Sequence, residues 1–217
     1  MFFQYGNKEI EFLKAKDKRL AFAIEKIGHV EREVDSDLFS AVVHQIIAQQ
    51  ISTKAQATIW KRLNDSLKMV NAKNISDLSP KKLQSFGMTF KKAEYILDFA
   101  KKVNDGIFDL EKINEKSDEE VVKELSSLKG VGVWTAEMIM TFCMQRSNIV
   151  SFGDLAILRG MRMLYRHRKI DKVKFEKYRK RYSPYGTVAS LYLWAIAGGA
   201  IPELTDPAEK LKTEKVK

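Results

Sequence analysis

The chain has 217 residues, 45% of them hydrophobic and 10% aromatic, enough to bury a core and to exclude a disordered or acidic solvating chain. Lysine and arginine number 38 against 28 acidic residues, and the net charge of +10 points to an anionic partner, either nucleic acid or a membrane surface. The single cysteine, Cys143, excludes a disulfide framework, a four-cysteine zinc site and a cysteine-ligated iron–sulfur cluster, and the three histidines show no metal-ligand spacing.

The opening MFFQYGNKEIEF brings charge before any apolar run, so it does not read as a signal peptide. Ile10, Leu13, Leu20, Ile24 and Ile27 predict one amphipathic helix. Phe39, Val42, Val43, Ile46, Ile47 and Gln50 continue the helical spacing after a cap among Asp35, Ser36 and Asp37. Ser52 or Thr53 can cap the next helix, which carries Ala55, Ile59, Leu63 and Leu67 on one face. Ser79-Pro80 signals another start, and Gly87 a stop. Ala93, Ile96, Leu97, Ala100 and Val103 form a further stripe, closed by the Asn-Asp-Gly turn at 104–106.

Ser117 and Glu120 have capping-box spacing ahead of Val121, Val122, Leu125 and Leu128. Lys129-Gly130-Val131-Gly132 then leads directly into an apolar helix from Val133 to Met144. Helices are also expected over Leu155–Arg166, Val173–Arg181 and Tyr185–Ala197. The tail from Glu203 to Lys217 is polar and expected to fray. Apolar runs such as Leu191 to Ala197 are far too short to span a membrane, so a cytoplasmic chain without a membrane partner is expected. The fold class is all-α.

Between Arg166 and Arg181, nine lysines and arginines face only Asp171 and Glu176, a local excess of seven positive charges. A solvated helix face explains most such runs, and the one-sided sign favours a polyanion.

The most informative string is Ser126-Ser127-Leu128-Lys129-Gly130-Val131-Gly132-Val133-Trp134-Thr135-Ala136. Glycines at alternate positions allow positive φ and close backbone approach, and the next helix begins with unpaired amide hydrogens suited to a phosphate. A plain helix–helix connector explains a bare G-x-G nearly as well. The whole string, however, resembles the helix-hairpin-helix element L-x-G-[VI]-G-x-x-[TS]-A, and Phe152-Gly153-Asp154 follows Trp134 at a distance of twenty residues. Together they resemble the helix-hairpin-helix/Gly-Pro-Asp superfamily of DNA base-excision glycosylases, over about Asp37 to Pro202. Within it the chain is most similar to the DNA-3-methyladenine glycosylase II branch, in a compact form without that branch's N-terminal β domain. Phe152-Gly153 stands where the superfamily name has Gly-Pro.

The resemblance implies two helical subdomains flanking a cleft, residues 37–146 with the hairpin and residues 1–36 plus 147–217 with the aspartate loop and the basic helix. By residue type alone Asp154 is an N-cap aspartate. The family match makes it the catalytic carboxylate that stabilises the oxocarbenium-like state and helps orient or deprotonate water. Trp134 takes the position of the Schiff-base lysine found in backbone-cutting members, which implies a monofunctional enzyme. With Trp194 and Met138, where close relatives have tyrosine, Trp134 would line a pocket for positively charged N3- or N7-alkylated purines. Ordinary core packing is the competing reading for both tryptophans.

By residue type Gln50 is a polar residue at a helix end; the resemblance implies that it, or in the alternative register Gln49, fills the hole left by a flipped nucleotide. The amides of Gly130, Gly132 and Thr135 would grip a phosphate, and the resemblance implies that main-chain carbonyls of Ser126, Leu128 and Val131 hold Na+ or K+. No other cofactor is implied, and the expected partner is duplex DNA carrying alkylated bases, bound by a monomer. A non-catalytic helix-hairpin-helix protein would have no use for Asp154, and a glycosylase for another damaged base is the alternative within the superfamily.

Overall fold

A computed structural model describes residues 1–208. They form twelve α-helices, one 3-10 turn and no β-strand, with a single antiparallel bridge between Phe2 and Glu33. In chain order these are α1 Asn7–Lys16, α2 Lys18–Ile27, α3 Leu38–Ala48, α4 Thr53–Leu67, α5 Ala72–Ser76 and α6 Pro80–Gln84. There follow α7 Phe90–Asn104, the 3-10 turn Lys112–Glu115, α8 Asp118–Leu125, α9 Val133–Phe142, α10 Leu155–Tyr165, α11 Lys172–Tyr182 and α12 Gly186–Ala197. No helix among the described residues is long and apolar enough to cross a membrane.

The chain divides into two units, Asp35–Met144 and a second made of Met1–Val34 with the chain from Gln145 onward. Backbone hydrogen bonds mark the first boundary: Val34 N donates to Met1 O at 3.0 Å, and the next residue, Asp35, donates to Phe142 O at 2.9 Å. Both boundaries lie two residues before those expected from the sequence.

In the unit 35–144, capping fixes where the helices begin. Side chains of Asp37, Ser52, Asn71, Ser79, Thr89 and Ser117 accept first-turn amide hydrogens of α3 to α8 in order. The core gathers on Phe99, which stacks on Phe39 at 4.9 Å and meets Phe108 edge-on at 5.6 Å. Cys143 is buried here, and desolvation, with Asp35 and Asp37 nearby, pushes its thiol up to about 12.

The other unit corrects two expectations. The stripe from Ile10 to Ile27 is two helices broken at Asp17, because Asp17 Oδ1 turns back to accept from Arg19 N and Leu20 N, both at 3.0 Å. The apolar spacing runs through the break, and only the capping aspartate marks it. Asp17 is buried, and its Oδ2 accepts from Tyr165 Oη at 2.9 Å and Arg181 Nη1 at 3.0 Å. The tail is likewise held as far as residue 208: Asp206 is buried and paired with Arg162, whose Nε donates to it at 2.9 Å. The rest of the expected frayed segment lies outside the described residues.

α10 and α12 cross closely at Gly160. A Cβ there would lie 2.9 Å from the Leu193 carbonyl carbon, and closer still to its oxygen. Alanine in place of a helical glycine gains about 1 kcal/mol of propensity, but a clash with backbone cannot be relieved by a rotamer and costs about 3 kcal/mol. Gly160→Ala is therefore expected to lower stability by about 2 kcal/mol, read from the urea unfolding midpoint. An unchanged or raised midpoint would show that α10 can move away freely.

Candidate functional site

The sequence-identified hairpin joins α8 to α9. Leu128 and Val131 are buried and close the turn through Val131 N to Leu128 O at 3.1 Å. The two glycines have different duties. Gly130 has φ +82, and a Cβ would meet Tyr95 Cε2 at 2.9 Å, with Cδ2 nearer, so backbone conformation and packing both demand glycine. Gly132 has an ordinary φ of −93, and no atom lies within 4 Å of a Cβ built on it. Nothing inside the fold requires glycine at 132.

Gly132 is also the N-cap of α9 and supplies no capping side chain to the helix's first-turn amides. Trp134 follows in that first turn and is 44% exposed, an unusual place for a large ring. Thr135 and, one turn beyond Trp134, Met138 are buried in this unit's core. At the other end of the turn Ser126 Oγ is buried without a hydrogen-bond partner among the described residues. Main-chain oxygens and an orphan hydroxyl are a donor set that fits a monovalent cation. No cluster of three or more His, Cys, Asp or Glu able to hold a metal occurs among the described residues.

The two glutamines between α3 and α4 also differ. Gln49 is half-buried, and its Nε2 donates to Gly130 O at 2.5 Å. Gln50 is exposed with a left-handed φ of +56. The side chain that projects is thus Gln50, and Gln49 joins this corner to the hairpin.

One face of α7 braces both elements. Lys92 Nζ donates to Ile47 O at 2.8 Å and Gln49 O at 2.5 Å, Tyr95 packs on Gly130, and Asp98 Oδ1 accepts from Lys129 Nζ at 2.7 Å. Burial holds the Lys92 ammonium below the ordinary lysine value. The Lys129 ammonium, reinforced by Lys102, holds the Asp98 carboxyl below the usual carboxylate range. Sequence reasoning reached the apolar stripe of this helix and missed its second face, whose signal was Lys92, Tyr95 and Asp98 at three-residue spacing.

In the other unit, Asp154 is the N-cap of α10 and 7% exposed. Its Oδ1 accepts from Ala156 N and Ile157 N, both at 2.9 Å. Phe152, two residues earlier, packs edge-on against Phe175 at 5.0 Å and lies under the Lys172 ammonium. Trp194 is partly exposed on α12, next to the Leu193 that meets Gly160. Of the nine cations at 166–181, Lys172, Lys174, Arg179 and Arg181 face carboxylates.

The chain is similar to known proteins over most of its length. Residues 43–184 match the HhH-GPD superfamily of base excision DNA repair proteins. The chain is 27% identical over 161 residues to DNA-3-methyladenine glycosylase 1 of Schizosaccharomyces pombe, spanning 72% of this chain and 71% of that one. A crystal structure of DNA-3-methyladenine glycosidase from Bacillus halodurans is 31% identical, with a TM-score of 0.85 over 98% of this chain and 99% of that one. The Schizosaccharomyces pombe 3-methyladenine DNA glycosylase solved with abasic DNA shares the fold at a TM-score of 0.75 and 22% identity, over 88% of this chain and 97% of that one. With the hairpin, the aspartate-capped helix and this match over most of its length, the chain belongs to the HhH-GPD superfamily of base excision DNA repair proteins.

Proposed function

We propose that the protein is a monofunctional DNA glycosylase that flips N3- or N7-alkylated purines out of duplex DNA and hydrolyses their N-glycosidic bond, acting as a monomer. The observation that carries this reading is Asp154, a buried carboxylate fixed by two amides at the start of α10 in the loop that bears the family signature. As the base departs, positive charge grows on the deoxyribose C1′ and ring oxygen, and a fixed carboxylate stabilises that charge without having to reorganise. It also orients, and accepts a proton from, the water that attacks C1′.

An alkylated purine carries a positive charge of its own, so it leaves readily and is attracted to an electron-rich ring face. The half-exposed Trp134 supplies such a face. With no amine at that position, the chain has no Schiff-base nucleophile there, and the abasic site should remain intact. Gln50 would enter the space vacated in the duplex. The amides at the start of α9, reached over Gly132, would hold a backbone phosphate. Ser126, Leu128 and Val131 would hold a monovalent cation beside it, whose charge would help neutralise that phosphate.

Asp154→Asn tests the assignment cleanly, because an asparagine oxygen can accept the same two capping bonds. The variant should melt like the wild type and bind DNA, while single-turnover release of N7-methylguanine falls about 100-fold or more. Release at the wild-type rate would remove Asp154 from the chemistry. Borohydride added during turnover should trap no covalent protein–DNA adduct, and a strong adduct would show that another amine acts as nucleophile. Gly132→Ala should change stability by less than about 1 kcal/mol, yet weaken DNA binding at constant salt. Unaltered affinity would mean that no phosphate approaches this turn.

A further inference from the structure

Lys92 sits where a cation closes a helix end. Its ammonium donates to Ile47 O at 2.8 Å and to Gln49 O at 2.5 Å, carbonyls at the C-terminus of α3 that lack partners within the helix. It has no carboxylate partner among its hydrogen bonds, so its charge is spent on the backbone of this corner. The next residue, Gln50, holds a left-handed φ of +56, a conformation that a non-glycine residue keeps only when its surroundings enforce it. Gln49, whose carbonyl Lys92 grips, extends its own amide to Gly130 O at 2.5 Å. A continuous path therefore runs from α7 through Lys92 and Gln49 to the hairpin turn.

We propose that Lys92 is a positioning residue for base flipping, latching the Gln50 corner to the Gly130 turn so that wedge and phosphate grip engage the duplex as one piece. The proposal rests on the reading of Gln50 and the hairpin given above. Without the latch, Gln50 is free to leave its left-handed conformation, and the corner must be ordered again at each encounter with DNA. The loss should fall on opening a paired duplex and spare the chemistry on a base that is already unstacked.

Lys92→Met keeps the length of the side chain and removes its charge. Two readouts are needed. The first is affinity for a duplex with a tetrahydrofuran abasic analogue against the same undamaged duplex. The second is single-turnover release of N7-methylguanine, either paired in a duplex or placed in an unpaired bulge. Lys92→Met should lose most of the wild-type preference for the abasic duplex and release the paired base about tenfold or more slowly. Release from the bulge should stay within about threefold of wild type, since little unstacking remains to be done. Equal losses on paired and bulged substrates would show a general structural role and overturn the latch, as would unchanged values on both. Lys92→Arg, which places donors near the same carbonyls, should recover much of the paired-duplex rate. If Lys92→Met does not fold, Gln49→Leu removes only the arm to Gly130 and should show the same selective loss. Should the wild type release no base from either substrate, the glycosylase reading falls, while the abasic preference still decides whether the latch exists.

Discussion

The ring of Tyr95 fills the space that a side chain at residue 130 would need, and the hairpin and the end of α3 are braced on either side of that contact. A tight turn with a positive φ can pack directly on an aromatic face only if the turn residue is glycine. Once that approach is made, the flanking residues of α7 are in reach of what lies on either side. Asp98 takes the ammonium of Lys129 from the hairpin, and Lys92 takes the carbonyls at the end of α3. A helix that contributes nothing to the superfamily motif thereby fixes the two elements that meet DNA in the proposed mechanism.

The other unit secures its carboxylate by similar economy of parts. α10 is held at three levels along its length: by the Asp154 cap at its start, by the backbone contact of Gly160 with Leu193, and by the pairing of Arg162 with Asp206. The residue assigned to chemistry is thus also the one that starts its own helix. The basic segment proves less available than its charge suggests. Arg181 is spent on the buried Asp17, and three further cations face carboxylates within α11 or at its cap.

The helical class, most helix starts and the hairpin were legible because capping residues and apolar spacing are local signals. Ser79-Pro80 and Ser117 through Glu120 mark their helices in the structure as they do in the sequence. The break at Asp17 was hidden by periodicity that continues across it, and the docking of Asp206 by its distance in sequence from Arg162. Asp154, Trp134 and the glycines stood out as a string, but their separate duties did not. Only the three-dimensional packing distinguishes Gly130, which the fold demands, from Gly132, which it does not. The roles of Lys92, Tyr95 and Asp98 were illegible for the same reason, since their contacts with the α3 end and the hairpin join segments more than thirty residues apart.

Cys143 bears on the conditions under which such an enzyme would work. Electrophiles that alkylate purines react fastest with thiolates, and a repair protein present during that damage is itself exposed to them. The chain's one sulfhydryl is buried, with its acidity suppressed to a pKa of about 12. Burial thus keeps the thiol protonated at neutral pH and its reactive anion scarce. The chain's most nucleophilic side-chain type is thereby shielded from the reagents whose products the proposed enzyme would remove.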